Sequence, residues 1–440
     1  MKLIYPIVVL LIITSCASPE PKDQWISLFN GKDLSGWTAN ENKGTFTVQE
    51  GLIVANGERS HLFYTGEVES HEFKNFEFRA EVKTTPGSNS GIYFHTSYQE
   101  EGWPFQGYEA QVNNTHIGEG DYRELKKTGS LYGVRNIYKQ LVPENEWFHY
   151  YIKVENDHIQ IKINDIPVIN YLQPASQDSL AKARFKGIGT FALQGHDPHS
   201  TVYYRNIEVK PNPPNAKNMV PTNLMAMEND TYHGLQALMS KQHSFTDMRV
   251  ELNPQFDLDQ ALAFYYRTGI NLGIVLQGNQ LKRVSEFRKL PVFVGIQAGT
   301  VADLAQFDYV IGSAGEYPDA TGDAFMDAYV ESIVADLTKN QINVWTGATR
   351  LPGPLEQSYL DLWTEERTTK VIGAAVANGV AIEIDNSTQF PPLTFIKQAK
   401  DLGAKFTYSG LGINSDMGEL TYIFKAIEEC SLDYKDIYIP

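Results

Sequence analysis

Three short segments of the chain place polar side chains at every second position, which is the pattern of a strand with one polar face. The polar residues on these faces are Glu109, Gln111 and Asn113 in the first segment, Tyr93 and His95 in the second, and Gln194 and His196 in the third. A carboxylate, imidazoles and amides on rigid strands suit a carbohydrate groove, because sugar hydroxyls need directional donors and acceptors. The alternative is the solvated face of a sheet, which has the same alternation.

The elements that would position these side chains are short strands. Residues 76–82 alternate apolar and charged side chains, and residues 159–163 do the same before an Asn-Asp turn. Further strands are predicted at 45–49, 52–55, 91–96, 108–112, 149–154, 187–193 and 202–209. Many short strands with almost no helical periodicity predict a two-sheet β-sandwich over residues 24–211.

The pattern changes after a proline-rich stretch that we interpret as a linker, residues 212–222. Buried apolar runs such as 273–276 and 292–296 then alternate with stretches of helical spacing such as 323–339. This βα alternation predicts that residues 223–440 form a parallel barrel or an open α/β sheet.

Composition and charge limit the possible partners. The chain has 440 residues, of which 42% are hydrophobic and 20% are charged, so we expect two globular domains. Its formal net charge is -16. An acidic surface repels phosphate backbones and anionic lipid, so we expect no nucleic-acid partner and membrane contact only through a specific anchor.

The first residues have the pattern of a bacterial lipoprotein signal peptide. An apolar run over 3–13 is too short to span a bilayer, and it ends in Thr-Ser-Cys, which resembles a lipobox. We therefore expect residues 1–16 to be the signal peptide, Cys16 to carry the lipid and residues 17–23 to be a tether. The protein would then be a periplasmic or outer-membrane lipoprotein of the cell envelope. The alternative is an ordinary signal peptide with an incidental cysteine.

Seven segments, in order across residues 26–210, resemble the 3-keto-disaccharide hydrolase family, also described as 3-keto-glycoside lyase/hydratase domains. They read ISLFNGKDLSGW at 26–37, SNSGIYF at 88–94, GYEAQ at 107–111, TGSLYG at 128–133, EW at 146–147, LQGH at 193–196 and YRNI at 204–207. The resemblance implies a concanavalin-like sandwich, or jelly roll, of a kind often found in exported proteins. It also implies an enzyme that acts on glycosides whose third carbon is a ketone.

The implied chemistry is elimination followed by hydration, with net hydrolysis. The ketone acidifies the hydrogen on the second carbon, a base removes it, and the enolate expels the glycosidic oxygen before water adds. Glu109 is the candidate base, and His95 and His196 are candidate acids or enolate partners, although arginine is common in the family near the position of His95. The residues that we expect to orient the sugar are Asn89, Tyr93, Gln111, Tyr132, Gln194 and Arg205.

The second half resembles a polymerase-and-histidinol-phosphatase (PHP-like) domain, which is a distorted (β/α) barrel. Its first strand has Arg249 and Glu251 where that family has a His-x-His metal motif, and Glu383 matches a family glutamate. Arginine stays protonated and ligates no cation, so we predict that the metal site is lost. Arg249 would instead pair with Glu251 or Glu383.

Three functions compete at this point. The first is an enzyme for 3-keto-glycosides, the second is a non-catalytic carbohydrate-binding lipoprotein, and the third is a metal-dependent phosphoesterase or amidohydrolase in the barrel, against which the missing histidines argue. An oligosaccharide or glycoside is the expected partner. No cofactor is expected, with a divalent cation in the sandwich groove as an open alternative.

Overall fold

The computed structural model describes residues 24–173, 187–213, 224, 234–235, 238, 243–319, 321–339, 341–410 and 420–440. The predicted signal peptide, Cys16, the tether and most of the predicted linker lie outside these residues. Within the described ranges, no helix combines the length and the apolar character that crossing a membrane requires.

The first half is a sandwich of two antiparallel sheets, as predicted. The strands are β1 Ile26–Ser27, β2 Trp37–Ala39, β3 Phe46–Gln49, β4 Leu52–Ala55, β5 Ser60–Tyr64, β6 Phe76–Thr84, β7 Asn89–Thr96, β8 Tyr108–Asn113, β9 Phe148–Glu155, β10 His158–Ile163, β11 Ile166–Leu172, β12 Thr190–Gly195 and β13 Val202–Pro211. One sheet has the order β11-β10-β9-β6-β13-β4-β3, with β1 beside β13, and the other has the order β2-β5-β12-β7-β8.

The two sheets differ in how their outer faces are covered. In β6 of the larger sheet, buried and more exposed residues alternate, so its outer face meets solvent. In β5 and β7 of the five-stranded sheet, every residue is buried. Since only one face of a sheet can contact the sandwich core, the outer face of the five-stranded sheet is covered by loops. This covered outer face positions the candidate site.

The second half is a closed barrel of seven parallel strands, which confirms the predicted parallel architecture. Its identity as a PHP-like domain stays a prediction. The strands are β14 Thr246–Val250, β15 Asn271–Val275, β16 Phe293–Gln297, β17 Tyr309–Gly312, β18 Val344–Trp345, β19 Ala381–Asp385 and β20 Phe406–Ser409. The helices are α1 Leu258–Thr268, α2 Val284–Phe287, α3 Gly322–Lys339, α4 Gly353–Glu356, α5 Tyr359–Leu362, α6 Glu365–Ala377, α7 Leu393–Asp401 and α8 Thr421–Glu429.

The barrel has an outer and an inner set of buried apolar residues. Alternate strand residues such as Val294 and Ile296 pack against helix residues in the main core. The intervening positions, such as Phe293 and Tyr309, form a separate cluster inside the ring of strands. The barrel interior is therefore filled by side chains, as it is in other (β/α) barrels.

Candidate active site

Two rows of side chains cross the covered outer face of the five-stranded sheet. Residues directly opposed in an antiparallel ladder project to the same face, so the register defines each row. One row contains Phe63, Ala192, Tyr93 and Glu109, and the next contains His61, Gln194, Gly91 and Gln111. Side chains from four strands thus meet on one surface.

The carboxylate of Glu109 is at the centre of this surface. The Tyr93 hydroxyl donates to Oε2 at 2.8 Å, and the Gln194 amide donates to Oε1 at 3.0 Å. Gly91 leaves the room that the carboxylate occupies, because a Cβ atom at this glycine would lie 2.6 Å from Glu109 Oε1. The sequence-based prediction that Glu109, Tyr93 and Gln194 converge is confirmed, while their roles in catalysis and binding stay predictions.

Asn89 and Gln111 extend the polar surface towards the start of β7. Both side chains are buried, and the Gln111 amide donates to Asn89 Oδ1 at 3.1 Å. In its other orientation the same amide would donate to Glu109 Oε1, also at 3.1 Å. The structure therefore places Gln111 beside the carboxylate and Asn89 beside Gln111.

An aromatic wall, made of His61, Trp103 and His196, borders this surface. The ring centroid of His61 lies 5.4 Å from that of Tyr93 and 5.4 Å from that of Trp103. Trp103 in turn lies 5.4 Å from His196, and 45% of its surface is exposed. An exposed indole beside polar groups is suited to cover the apolar face of a sugar.

His61 is a site residue that the sequence analysis missed. It has no exposed surface, and within the described part of the chain neither ring nitrogen has a hydrogen-bond partner. Burial lowers the pKa of His61 to about 3, so the imidazole is neutral near pH 7. The signal for this residue was the alternation of His61 and Phe63 in a segment that we had not predicted as a strand.

His196 stands at the outer end of the aromatic wall. Its Nδ1 lies 2.6 Å from Asp197 Oδ2, and about a quarter of the side chain is exposed. Burial alone would raise the pKa of Asp197, but hydrogen bonds from His196 and Ser200 hold it below its usual value. Asp197 is therefore a carboxylate that orients the imidazole.

A long segment that we call the site loop, residues 114–139, runs along the free edge of β8. Four backbone hydrogen bonds attach it there: Thr128 N to Asn113 O at 2.8 Å, Gly129 N to Gln111 O at 3.0 Å, Gln111 N to Ser130 O at 2.9 Å and Tyr132 N to Glu109 O at 2.9 Å. The loop thus adds a wall next to the carboxylate.

The site loop brings a second set of polar groups to the site. Tyr132 donates to Glu124 Oε2 at 3.1 Å, and the Lys126 ammonium lies 3.3 Å from Glu124 Oε1 and 4.2 Å from the centroid of the Tyr132 ring. Burial and the charge of Glu124 raise the pKa of Tyr122 and of Tyr132, and the charge of Glu109 adds to both shifts. The two phenols are therefore protonated donors within electrostatic reach of Glu109. Of this set only Tyr132 was predicted, because the stretch around Glu124 and Lys126 resembles an ordinary polar loop.

His95 does not share the face of Tyr93, so this prediction was wrong. Its backbone has a φ of +55°, which breaks the alternation at the end of β7. The ring packs at right angles against Phe76 and its Nε2 lies 2.9 Å from Lys74 O.

Arg205 also lies away from the site, which corrects a second prediction. It belongs to β13 in the opposite sheet, where its neighbour Tyr204 points inward and contacts Ser90. Arg205 therefore points outward, pairs with Glu81 at 2.6 Å and stacks 4.0 Å above the Trp147 ring.

The carboxyl end of the barrel strands holds a separate ion cluster. Arg249 lies 2.8 Å from Glu383 and 2.7 Å from Asp385, so the predicted pairing with Glu383 is confirmed, whereas Glu251 is exposed. Burial raises the pKa of Glu383, although Arg249 opposes this shift. Across the ranges that the structure covers, no group of three or more His, Cys, Asp or Glu side chains is arranged to hold a metal ion.

Comparisons with known proteins find matches for the first half of the chain. Residues 24–210 match the family of 3-keto-alpha-glucoside-1,2-lyase-like domains. A 3-keto-disaccharide hydrolase of Bacteroides thetaiotaomicron is 26% identical over 235 residues, which cover 44% of this chain and 80% of that protein. Family and relative together indicate a glycoside hydrolase-like or lyase-like domain.

Two solved structures are similar to the same part of the chain. A candidate glycosyl hydrolase of Parabacteroides distasonis is 22% identical, with a TM-score of 0.37, and the match covers 43% of this chain and 94% of that one. The carbohydrate-binding module CBM66 of Bacillus subtilis is 17% identical, with a TM-score of 0.28, and the match covers 40% and 95% of the two chains.

Proposed function

We propose that the sandwich cleaves glycosides whose third carbon is a ketone, by elimination and then hydration. The observation that carries the proposal is the Glu109 carboxylate, held by Tyr93 and Gln194 on a surface covered by loops. The match of residues 24–210 and the relative named a 3-keto-disaccharide hydrolase support the substrate class. The polar surface around the carboxylate suits the hydroxyl groups of a sugar.

In the proposed elimination step, Glu109 is the general base. Its carboxylate takes the proton from the second carbon, and the electron pair of that C–H bond forms the enolate of the neighbouring ketone. The enolate collapses to a carbon–carbon double bond between the first and second carbons, and the bond from the first carbon to the glycosidic oxygen breaks. The departing oxygen takes up a proton, which leaves an alcohol and an enone.

In the proposed hydration step, water adds across the double bond. Its oxygen bonds to the first carbon, and the proton that it loses returns to the acid that protonated the leaving oxygen. The proton held by Glu109 passes to the second carbon, so the sum of the two steps is hydrolysis. The residue regains its carboxylate form, ready for the next cycle. Because one carboxylate serves both steps, elimination and hydration can share one pocket.

The site offers donors for the oxygens that become negative. Tyr122 and Tyr132 keep their protons at neutral pH, since burial and neighbouring charge raise the pKa of each phenol. Either phenol can exchange its hydrogen bond with Glu124 for one with the enolate oxygen. His196, oriented by Asp197 at the rim, is our candidate acid for the leaving oxygen.

The test is turnover of a 3-keto-disaccharide by the purified full-length protein. Enone absorbance and released monosaccharide are followed for the wild type and for Glu109→Gln. The amide cannot take a proton, so we expect the rate to fall by about three orders of magnitude while sugar binding persists. The matched control is Glu208→Gln, which makes the same change in an ion pair with Arg79 on the outer face of the other sheet and should leave the rate unchanged.

Two outcomes would contradict the proposal. Full turnover by Glu109→Gln would remove this carboxylate from the mechanism. Tight sugar binding without turnover by the wild type would instead support a non-catalytic carbohydrate-binding protein.

We also propose that the protein is exported and lipid-anchored through Cys16. The support is the apolar run followed by Thr-Ser-Cys at residues 14–16. In bacterial expression, the wild type should fractionate with membranes and partition into detergent. Cys16→Ala should be found in the soluble fraction, and membrane association of this variant would refute the anchor.

A further inference from the structure

The site loop has a second attachment, on the side away from β8. Near its end, Tyr138 is buried in a cluster with Met248, Phe293 and Tyr309 of the barrel. Phe293 and Tyr309 are the first residues of β16 and β17. Tyr138 therefore fills the amino end of the barrel, opposite the end that carries Arg249.

Polar contacts fix this docking. The buried Lys139 ammonium lies 2.9 Å from Asp308 Oδ2 and donates to Val292 O at 2.6 Å. Asn271, at the start of β15, donates to Asn136 O at 2.8 Å. An ammonium is costly to bury unless it is paired and hydrogen-bonded, so these contacts define one specific docking position for the site loop on the barrel.

Short hydrogen bonds connect the two attachments. Lys127 N donates to Ile137 O at 2.8 Å, Ile137 N to Ser130 Oγ at 2.8 Å, and Leu131 N to Arg135 O at 2.9 Å. The part of the loop that lines β8 is thus bonded directly to the part that enters the barrel. A displacement of one part must displace the other.

We propose that the barrel supports the active site of the sandwich by holding the site loop against β8, with Tyr138 and Lys139 as positioning residues. The inference rests on the proposed function. A 26-residue segment without a helix or strand of its own loses much conformational entropy when it is ordered, so its position needs support from elsewhere. The barrel supplies that support through its amino end.

The test combines amide hydrogen exchange at residues 128–132 with steady-state kinetics, both on the full-length protein. In Lys139→Met, Asp308 loses its partner, and we expect exchange about tenfold faster and kcat about tenfold lower, with KM little changed. Lys139→Arg keeps the charge and should restore both values. Lys139→Met with Asp308→Asn removes the unpaired charge, keeps an acceptor for Val294 N and should also recover most of the loss.

The matched control is Tyr266→Phe. It deletes another hydrogen bond between the two halves, from the tyrosine hydroxyl to Pro167 O at 2.9 Å, which does not involve the site loop. Exchange at residues 128–132 and kcat should match the wild type. A general weakening of the contact between the halves would affect this control as well, and that result would overturn the inference.

Exchange is measured without substrate, so it separates this inference from the proposed function. Unchanged exchange in both Lys139→Met and Tyr138→Ala would overturn the supporting role of the barrel, whatever the turnover. If the wild type fails to turn over the 3-keto-disaccharide while exchange is faster in these variants, the support of the site loop by the barrel would be upheld and the proposed reaction would be refuted.

Discussion

Gly91→Ala should abolish most activity at little cost in stability. The new Cβ atom would lie 2.6 Å from Glu109 Oε1, 2.9 Å from its Cγ and 3.1 Å from its Cδ. An ordinary contact begins near 3.4 Å, so the carboxylate must move by about 0.8 Å. It would then lose the geometry of its hydrogen bonds with Tyr93 and Gln194.

The expected losses of activity and of stability follow from the displacement of the Glu109 side chain. A displacement of about 1 Å in a reacting group typically costs about 100-fold in rate, so kcat/KM should fall by that factor. The atoms that must move belong to a flexible side chain, and alanine is better than glycine in a strand by about 0.5–1 kcal/mol. This gain offsets part of the crowding cost of about 1–3 kcal/mol, so the net loss of stability should be near 1 kcal/mol.

The assay compares kcat/KM and the free energy of unfolding for Gly91→Ala and for Gly373→Ala. Gly373 lies in α6, and a methyl group added there would meet no other side chain within 4 Å. Its substitution should therefore leave activity unchanged and slightly stabilise the fold. Wild-type activity in Gly91→Ala would show that the position of Glu109 is not critical. Equal losses in the two variants would show that the effect is not local.

Three further variants probe other parts of the molecule. His61→Phe should lose less stability than the wild type as the pH falls. Burial lowers the pKa of His61 to about 3, so below about pH 6.5 only the unfolded chain binds a proton at this residue. This difference should cost the wild type about 2 kcal/mol of unfolding free energy between pH 8 and pH 5. Trp103→Ala should raise KM about fivefold with little change in kcat, because it removes a stacking surface at the rim. Arg249→Met should destabilise the barrel by about 3 kcal/mol, because Glu383 is left buried without its partner, and adding Glu383→Gln should recover most of that.

Each variant has a result that would contradict its reasoning. Identical denaturation curves against pH for the wild type and His61→Phe would mean that the imidazole is not kept neutral in the folded state. An unchanged KM in Trp103→Ala would place the sugar elsewhere. A melting temperature unchanged by Arg249→Met would mean that water reaches Glu383 and replaces the arginine.

Alternation along the strands made much of the site predictable. Glu109, Tyr93 and Gln194 sit on regular strands, so their shared face follows from the period of two. His95 departs from this alternation because its backbone enters the left-handed region. The residue type at that position does not indicate this change of backbone conformation. The position of Arg205 could not be predicted in this way. Alternation predicts which side of a strand a residue faces, but not which of the two sheets the strand joins.

The sequence pattern did not predict that the site loop contributes residues to the site. Glu124 and Lys126 are buried charged residues in a segment without periodicity, and the loop that carries them is held by β8 on one side and by the barrel on the other. Charged residues in such segments are usually solvated, so the sequence does not indicate their burial. The Arg249–Glu383 pair was one of two pairings that the resemblance to the PHP-like family implied, because both residues stand at positions of that family's metal site.

The insertion of Tyr138 into the barrel affects how the protein can be divided in the laboratory. From the sequence, the proline-rich stretch after β13 looks like a natural place to cut and express two independent halves. Separate expression of the two halves would expose the Tyr138 ring and leave the Lys139 ammonium without Asp308. It would also leave a cavity at the amino end of the barrel, where Tyr138 packs in the intact protein. Truncated versions are therefore expected to aggregate and to have low activity. Low activity in one of them would say little about the activity of the full-length protein.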